Sequence, residues 1–422
     1  MEVALKNDLF IIPLTNDKNI VYAPLRGVAF YANDKAANVC ISYIKGNEII
    51  DNSENAPLRE HIRVLEETKV YEPHPKSINT TSNLVIILSQ MCNLACSYCF
   101  AQESRSKDAL KKIQIKAAID YIMAQKSKQK HISFIGGGEP TLTWEKLKWS
   151  IRYIRSYQFD QNNINIGITT NGTLLDDDKI EFFRENNVNI GLSFEILPDV
   201  QSSQRCFANS NKSTFEVVDE AIKKLRDRSV PISFRSTITK LNVIRMPEMV
   251  NFVIKHYPFM KKLHFEHVTS TENDKRFYND FIRYFMEARR IGQEKGINIY
   301  CSISHGFEKI KSSFCGGEFC LTPSGEFVSC HRVSSKEEKA FDLFNYAKIK
   351  DGSVSLDLCK KERLEDFFNA KREKCASCYA KWHCAGSCAM EKTIYNDEMR
   401  DLKCYYTKEL TKELLIERLD SV

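Results

Sequence analysis

The sequence predicts an α/β fold: a partial (β/α)6 TIM-like barrel with a small N-terminal α+β unit and a C-terminal cysteine-rich domain. Three observations predict it. Short β-rich runs alternate with longer helical patterns between residues 83 and 300, cysteines gather in two fields, and 422 residues exceed the usual limit of a single core. Strand–helix alternation at this spacing means βαβ units whose right-handed crossovers build a parallel sheet. Six repeats are fewer than the eight that close a barrel. No motif recurs at a fixed period, which argues against a solenoid.

Residues 1–75 contain the apolar runs Leu9–Leu14, Ile20–Leu25 and Val28–Tyr31, then a polar helical pattern near Leu58–Thr68. They read as a hairpin-rich unit, and Pro73–Ser82 as a linker. Strands are expected at Asn83–Ser89, His131–Ile135, Asn163–Thr169, Asn189–Phe194, Ile232–Thr239 and Lys262–Val268. Helices are expected between and after them, at Ile113–Lys126, Trp144–Tyr157, Asp177–Asn186, Thr214–Asp227, Met246–His256 and Lys275–Lys295. Residues 83–300 thus form the barrel and 301–422 the cysteine-rich domain, which ends in the amphipathic run Thr407–Leu419.

The net charge of +6 is mild and its Lys and Arg are scattered, so nucleic acid is not an expected partner. No apolar run approaches the roughly 18–20 residues of a membrane span, and Met1–Asp8 lack the pattern of a signal peptide. The fifteen cysteines therefore belong in a reducing, cytoplasmic setting, as metal ligands rather than disulfides.

The first field is Cys92-Asn93-Leu94-Ala95-Cys96-Ser97-Tyr98-Cys99-Phe100, a C-x3-C-x2-C loop directly after the first barrel strand. Three thiolates can hold three irons of a [4Fe–4S] cube and leave the fourth iron open, and an open metal position marks a reactive site. The segment resembles the cluster loop of the radical SAM enzymes, which implies S-adenosylmethionine on the open iron. Gly136-Gly137-Gly138-Glu139-Pro140 follows the second strand, at the edge where parallel α/β sheets bind ligands. It is similar to the family's GGE motif, so Gly137, Gly138, Glu139 and Pro140 are expected at the methionine amino group. By the same resemblance Tyr98, Asn171 and Ser193 are expected contacts of the cofactor. Arg235 is a carboxylate partner by its bidentate guanidinium, with Arg205 a second candidate.

In the second field, Cys315-x9-Gly325-x4-Cys330 precedes Cys375-x2-Cys378-x5-Cys384-x3-Cys388 and, fifteen residues on, Cys404. Thr322–Glu326 reads as a tight hairpin with Cys320 and Cys330 on its arms. Eight cysteines equal two sets of four thiolates, the complement of two [4Fe–4S] clusters; on spacing alone, zinc suits Cys375, Cys378, Cys384 and Cys388 equally well. The pattern resembles the SPASM extension of radical SAM enzymes. That resemblance implies interleaved ligation: Cys315, Cys320, Cys330 and Cys388 for one auxiliary cluster, and Cys375, Cys378, Cys384 and Cys404 for the other. Cys40, Cys206, Cys301 and Cys359 fall outside every pattern and are expected as small buried hydrophobes.

The resemblance implies reductive cleavage of S-adenosylmethionine and hydrogen abstraction from a substrate carbon. Three [4Fe–4S] clusters and a flavodoxin- or ferredoxin-type electron donor go with it. SPASM extensions mostly accompany peptide substrates, so a maturase acting on a ribosomally made precursor peptide is the expected function, with thioether or carbon–carbon crosslinking as the reaction type. Residues 1–75 would then hold the precursor's leader, or else cap the open side of the barrel. An anaerobic sulfatase-maturating enzyme is the alternative. Two departures count against it: Ser193-Phe194-Glu195-Ile196 stands where those enzymes carry Ser-Leu-Asp-Gly, and His331 stands where they carry an aspartate base. A radical SAM enzyme acting on a small molecule and a non-catalytic metal scaffold are the other readings.

Overall fold

Alternation of side chains along a strand decides what the molecule shows to its core and what to its centre. The computed structural model describes residues 8–50, 52–53, 55–73, 77–102 and 104–421; Met1–Asn7 and residues 74–76 of the expected linker lie outside them. Three antiparallel strands come first: β1 (Phe10–Pro13), β2 (Asn19–Ala23) and β3 (Val28–Ala32). Along β2, Val21 and Ala23 face a small core with Leu9, Cys40, Leu58, Ile62 and Leu65. Ile20 and Tyr22 point the other way, into a core shared with the barrel and with Leu410 and Leu414 of the C-terminal helix. Helix Ala56–Glu67 lies where the sequence placed it, whereas helix Asp34–Ile44 was not foreseen.

The barrel comprises β4 (Asn83–Ile86), β5 (Lys130–Phe134), β6 (Ile164–Thr170), β7 (Val188–Ser193), β8 (Ile232–Ile238), β9 (Lys262–His267) and β10 (Asn298–Tyr300), parallel and in that spatial order. On β6 and β7, Ile166, Ile168, Val188 and Ile190 pack against the surrounding helices. The alternate positions, Gly167, Thr169, Gly191 and Ser193, turn inward. Arg235 and Thr237 on β8, and His264 and Glu266 on β9, continue that inner face. The fold class stands as expected, with seven parallel strands among the described residues where six are expected. At three residues, β10 is too short to carry a period.

On its other edge β4 pairs in parallel with β11 (Cys320–Leu321), placing Cys320 opposite Val85. An antiparallel run follows: β12 (Glu326–Val328), β13 (Asn345–Lys350) and β14 (Ser353–Leu356). One eleven-stranded sheet therefore carries both the barrel and the hairpin of the second cysteine field. The last helix, Asp397–Asp420, begins ten residues before the amphipathic run that announced it. It packs against helix Lys275–Glu294 and β3. No described helix is long and apolar enough to cross a membrane.

Candidate active site

Past β4 the chain turns Cys92, Cys96 and Cys99 into the wall of one cavity of about 360 Å³, at the C-terminal ends of the parallel strands. The segment 204–208, from which the sequence singles out only Arg205, clamps this loop. The Ala95 N–H donates to the Cys206 carbonyl at 2.9 Å, the Ser97 N–H to Gln204 at 3.0 Å, and the Ala208 N–H to Asn93 at 2.9 Å. Arg105 donates to the Leu94 carbonyl at 2.5 Å and to the Cys99 sulfur at 3.5 Å. Burial pushes the Cys96 thiol up to about 11, against the pull of Arg205, and raises Cys92 as well. Buried thiols become thiolates when a metal supplies the missing positive charge. Three cysteines around one cavity, Cys96 buried and Cys92 and Cys99 partly so, suit a cluster with an open corner.

The glycines after β5 are required by close approach to that loop. A Cβ on Gly138 would lie 1.8 Å from the Met91 carbonyl oxygen, and one on Gly137 would lie 2.6 Å from Ile87. The Gly138 N–H donates to Ser89 and the Glu139 N–H to Met91. The Glu139 carboxylate is spent inside the protein: it accepts from Thr141, from the Thr170 hydroxyl at 2.7 Å and from the Asn171 N–H at 2.7 Å. Asn171 in turn donates to Asn93 at 2.9 Å, tying the end of β6 to the cysteine loop. Pro140 is buried at the start of a short 3-10 turn and does not line the cavity.

Under the loop lies a buried triad that includes a residue the sequence did not single out as functional, Glu195. Tyr98 donates to Glu195, Arg205 donates to the Tyr98 hydroxyl at 2.7 Å, and the Thr237 N–H donates to Glu195 at 2.9 Å. Burial pushes the Glu195 carboxyl up to about 7, opposed by Arg205 and Tyr98. Arg205 thus reaches the cavity with its guanidinium already engaged. Arg235 is different. Its stem lies over Gly191, where a Cβ would meet Cδ at 3.6 Å, and no described carboxylate pairs with it.

The opposite wall brings together His264, Glu266, His267, Thr269, His331 and Arg332. Burial acts to raise the Glu266 carboxyl, but the His264 hydrogen bond and the charges of His267 and Lys403 hold it well below the usual range. Nδ1 of His331 meets Glu318 at 2.8 Å, leaving Nε2 as the ring nitrogen not engaged there.

The cysteines of the second field lie near one another across wide gaps in the chain. Burial raises the Cys320 and Cys330 thiols, which neighbour each other, while Cys330 also neighbours Cys388 and Cys388 neighbours Cys315. Cys378 neighbours Cys375 and Cys404, and Cys384 neighbours Cys404 and Cys378. Cys375, Cys384 and Cys404 line a small cavity of about 40 Å³. A second one of about 130 Å³, with Glu266, His267 and Arg332 at one end and Cys384, Cys388 and Lys403 at the other, lies between it and the barrel. Apart from Cys315, which is exposed, the thiols of this field are buried or half-buried. Among the four unassigned cysteines, Cys40 and Cys301 are buried as expected. Cys206 and Cys359 are exposed: the first sits on the outer side of the cysteine loop, the second in the first turn of helix Leu358–Asn369.

Residues 86–253 match the model of the radical SAM superfamily. The chain is 25% identical to a cysteine-type anaerobic sulfatase-maturating enzyme of Clostridium novyi, over 67% of this chain and 85% of that protein. Two solved structures share the fold. Native anSMEcpe with bound AdoMet and peptide matches 81% of this chain and all of its own, with a TM-score of 0.66 at 17% identity. Streptococcus suis SuiB bound to the precursor peptide SuiA matches 92% of this chain and 96% of its own, with a TM-score of 0.52 at 15% identity.

Proposed function

Starting from a radical SAM enzyme, which residues 86–253 and its relatives make this chain, we propose that it is a maturase of a ribosomally made peptide that installs a thioether or carbon–carbon crosslink. One observation carries the reading: the cavity at the Cys92–Cys99 loop connects, through residues shared between neighbouring cavities, to the second cysteine field. Such a connection serves a reaction that leaves an electron to be removed from the substrate. When bound, the cluster and S-adenosylmethionine supply a carbon radical that takes hydrogen from a substrate carbon.

The residues divide this work. Cys92, Cys96 and Cys99 hold the site cluster. Backbone groups of Gly137, Gly138 and Glu139 meet the methionine amino group, and Arg235, the uncommitted guanidinium, takes the carboxylate. Tyr98, Asn171 and Arg205 act by fixing the loop, and Ser193 lines the inner wall. The substrate residue lies against His264, Glu266, His331 and Arg332. Cys315, Cys320, Cys330 and Cys388 hold one auxiliary cluster, and Cys375, Cys378, Cys384 and Cys404 the other. Residues 1–75 hold the precursor's leader along the edge of β1 or β3 that pairs with no other described strand, residues 83–300 form the catalytic barrel, and residues 301–422 the auxiliary domain. A flavodoxin- or ferredoxin-type protein supplies the electrons.

The likeness to sulfatase-maturating enzymes favours a second reading, formylglycine formation, which His331 in place of an aspartate weakens. Mass spectrometry separates the two. The reduced enzyme is expected to modify a short peptide encoded beside it and to leave a cysteine- or serine-type sulfatase peptide unchanged; formylglycine above trace turnover overturns this order.

A further inference from the structure

Four cations line the cavity of Cys375, Cys384 and Cys404: Arg372, Lys392, Arg400 and Lys403. Three of them have carboxylate partners. Arg372 lies 2.6 Å from Asp401, Arg400 3.4 Å from Asp397 and Lys403 3.3 Å from Glu391. Lys392 has none among the described residues. Its ammonium is held by main-chain carbonyls at the end of helix Leu358–Asn369, donating to Ala370 at 2.8 Å and to Phe367 at 3.1 Å. The same nitrogen is 3.8 Å from where a Cβ on Gly386 would stand, beside the loop that joins Cys384 to Cys388. Its charged neighbours include Cys384 of one cysteine group and Cys315 and Cys388 of the other. A positive charge held by main-chain carbonyls thus lies near cysteines of both sets, and no carboxylate pairs with it among the described residues.

We propose that Lys392 is a positioning residue that raises the reduction potential of the auxiliary centres, keeping them ready to accept an electron. The inference rests on the reading of the eight cysteines as two cluster sites. A [4Fe–4S] cluster gains negative charge on reduction, and net charge nearby is among the factors that set its potential. In a partly buried site, a cation fixed by carbonyls acts with little screening.

The test is an EPR-monitored redox titration of the anaerobically reconstituted full chain beside its Lys392→Met, Lys392→Gln and Lys392→Arg variants, each with its iron counted. Lys392→Gln removes the charge and keeps a polar donor on a shorter side chain. With iron content unchanged, both neutral variants are expected to lower the reduced-to-oxidised ratio of the auxiliary centres at fixed potential about tenfold, 59 mV for a one-electron couple. Lys392→Arg is expected to keep the wild-type ratio. Full iron with an unshifted ratio overturns the proposal. So does loss of iron in both neutral variants, because the charge then retains the clusters rather than tuning them. Wild-type protein that binds only the iron of the first loop, or stoichiometric zinc, overturns instead the cluster reading beneath it.

Discussion

At the scale of single residues, the site depends more on backbone approach than on side-chain chemistry. Gly138→Ala must displace either the glycine loop or the Met91 backbone, since no rotamer relieves a contact of 1.8 Å. We expect this variant to fold but to hold less than half the iron of the first loop and to lose S-adenosylmethionine cleavage by at least a hundredfold. Iron assay and product chromatography check both. Asp8 makes a prediction about pH. Burial pushes its carboxyl from 3.8 to about 6, against the Leu25 N–H and Arg26. The folded state therefore holds this proton more tightly than the unfolded chain, and its contribution to stability falls as pH rises from about 4 to about 6. Asp8→Asn should gain on the wild type across that window, by on the order of 3 kcal/mol, and stay level above it. Melting curves at stepped pH read this directly, and a gap that narrows with rising pH refutes it. The cysteine loop and the glycine motif were legible in the sequence because their spacing is local. Glu195, Arg105 and the 204–208 clamp were not, because each acts on a partner some 10 to 110 residues away that only the fold brings close.

Elements with a clear period were read closely. Helices Thr214–Asp227 and Met246–His256 match their expected bounds, and each of the six expected strands is present within a few residues. What escaped was β10, too short for a pattern, and the first ten residues of helix Asp397–Asp420, mostly polar and exposed or half-buried, with Lys403 buried beside Tyr406. Lys403 adds a polar anchor to the apolar contacts that dock the element. Lys403 is buried, donates to His267 of β9 and pairs with Glu391 at 3.3 Å. Lys403→Met leaves Glu391 buried without its cation, which costs about 3–5 kcal/mol. Adding Glu391→Gln should restore most of that loss. Anaerobic denaturation midpoints test the pair, and a double variant no more stable than the single one would mean the helix is docked by its apolar contacts alone.

For the whole molecule the expectation is twelve irons, about four per four-cysteine cluster plus four on the three-cysteine loop. Replacing Cys92, Cys96 and Cys99 with alanine should remove about a third of them and all cleavage of S-adenosylmethionine, while an iron content left intact contradicts the assignment of that loop. One feature of the sheet also governs the order in which the molecule can be made. β4 is translated early, yet its outer neighbour β11 emerges more than 230 residues later, and the last cysteine of the second field later still. Until then the nascent chain exposes Val85 and Ile86 on an open strand edge, the kind of surface that pairs with other chains. Ribosome-bound intermediates halted before Cys320 should therefore depend on chaperones in a way that chains halted after β14 do not.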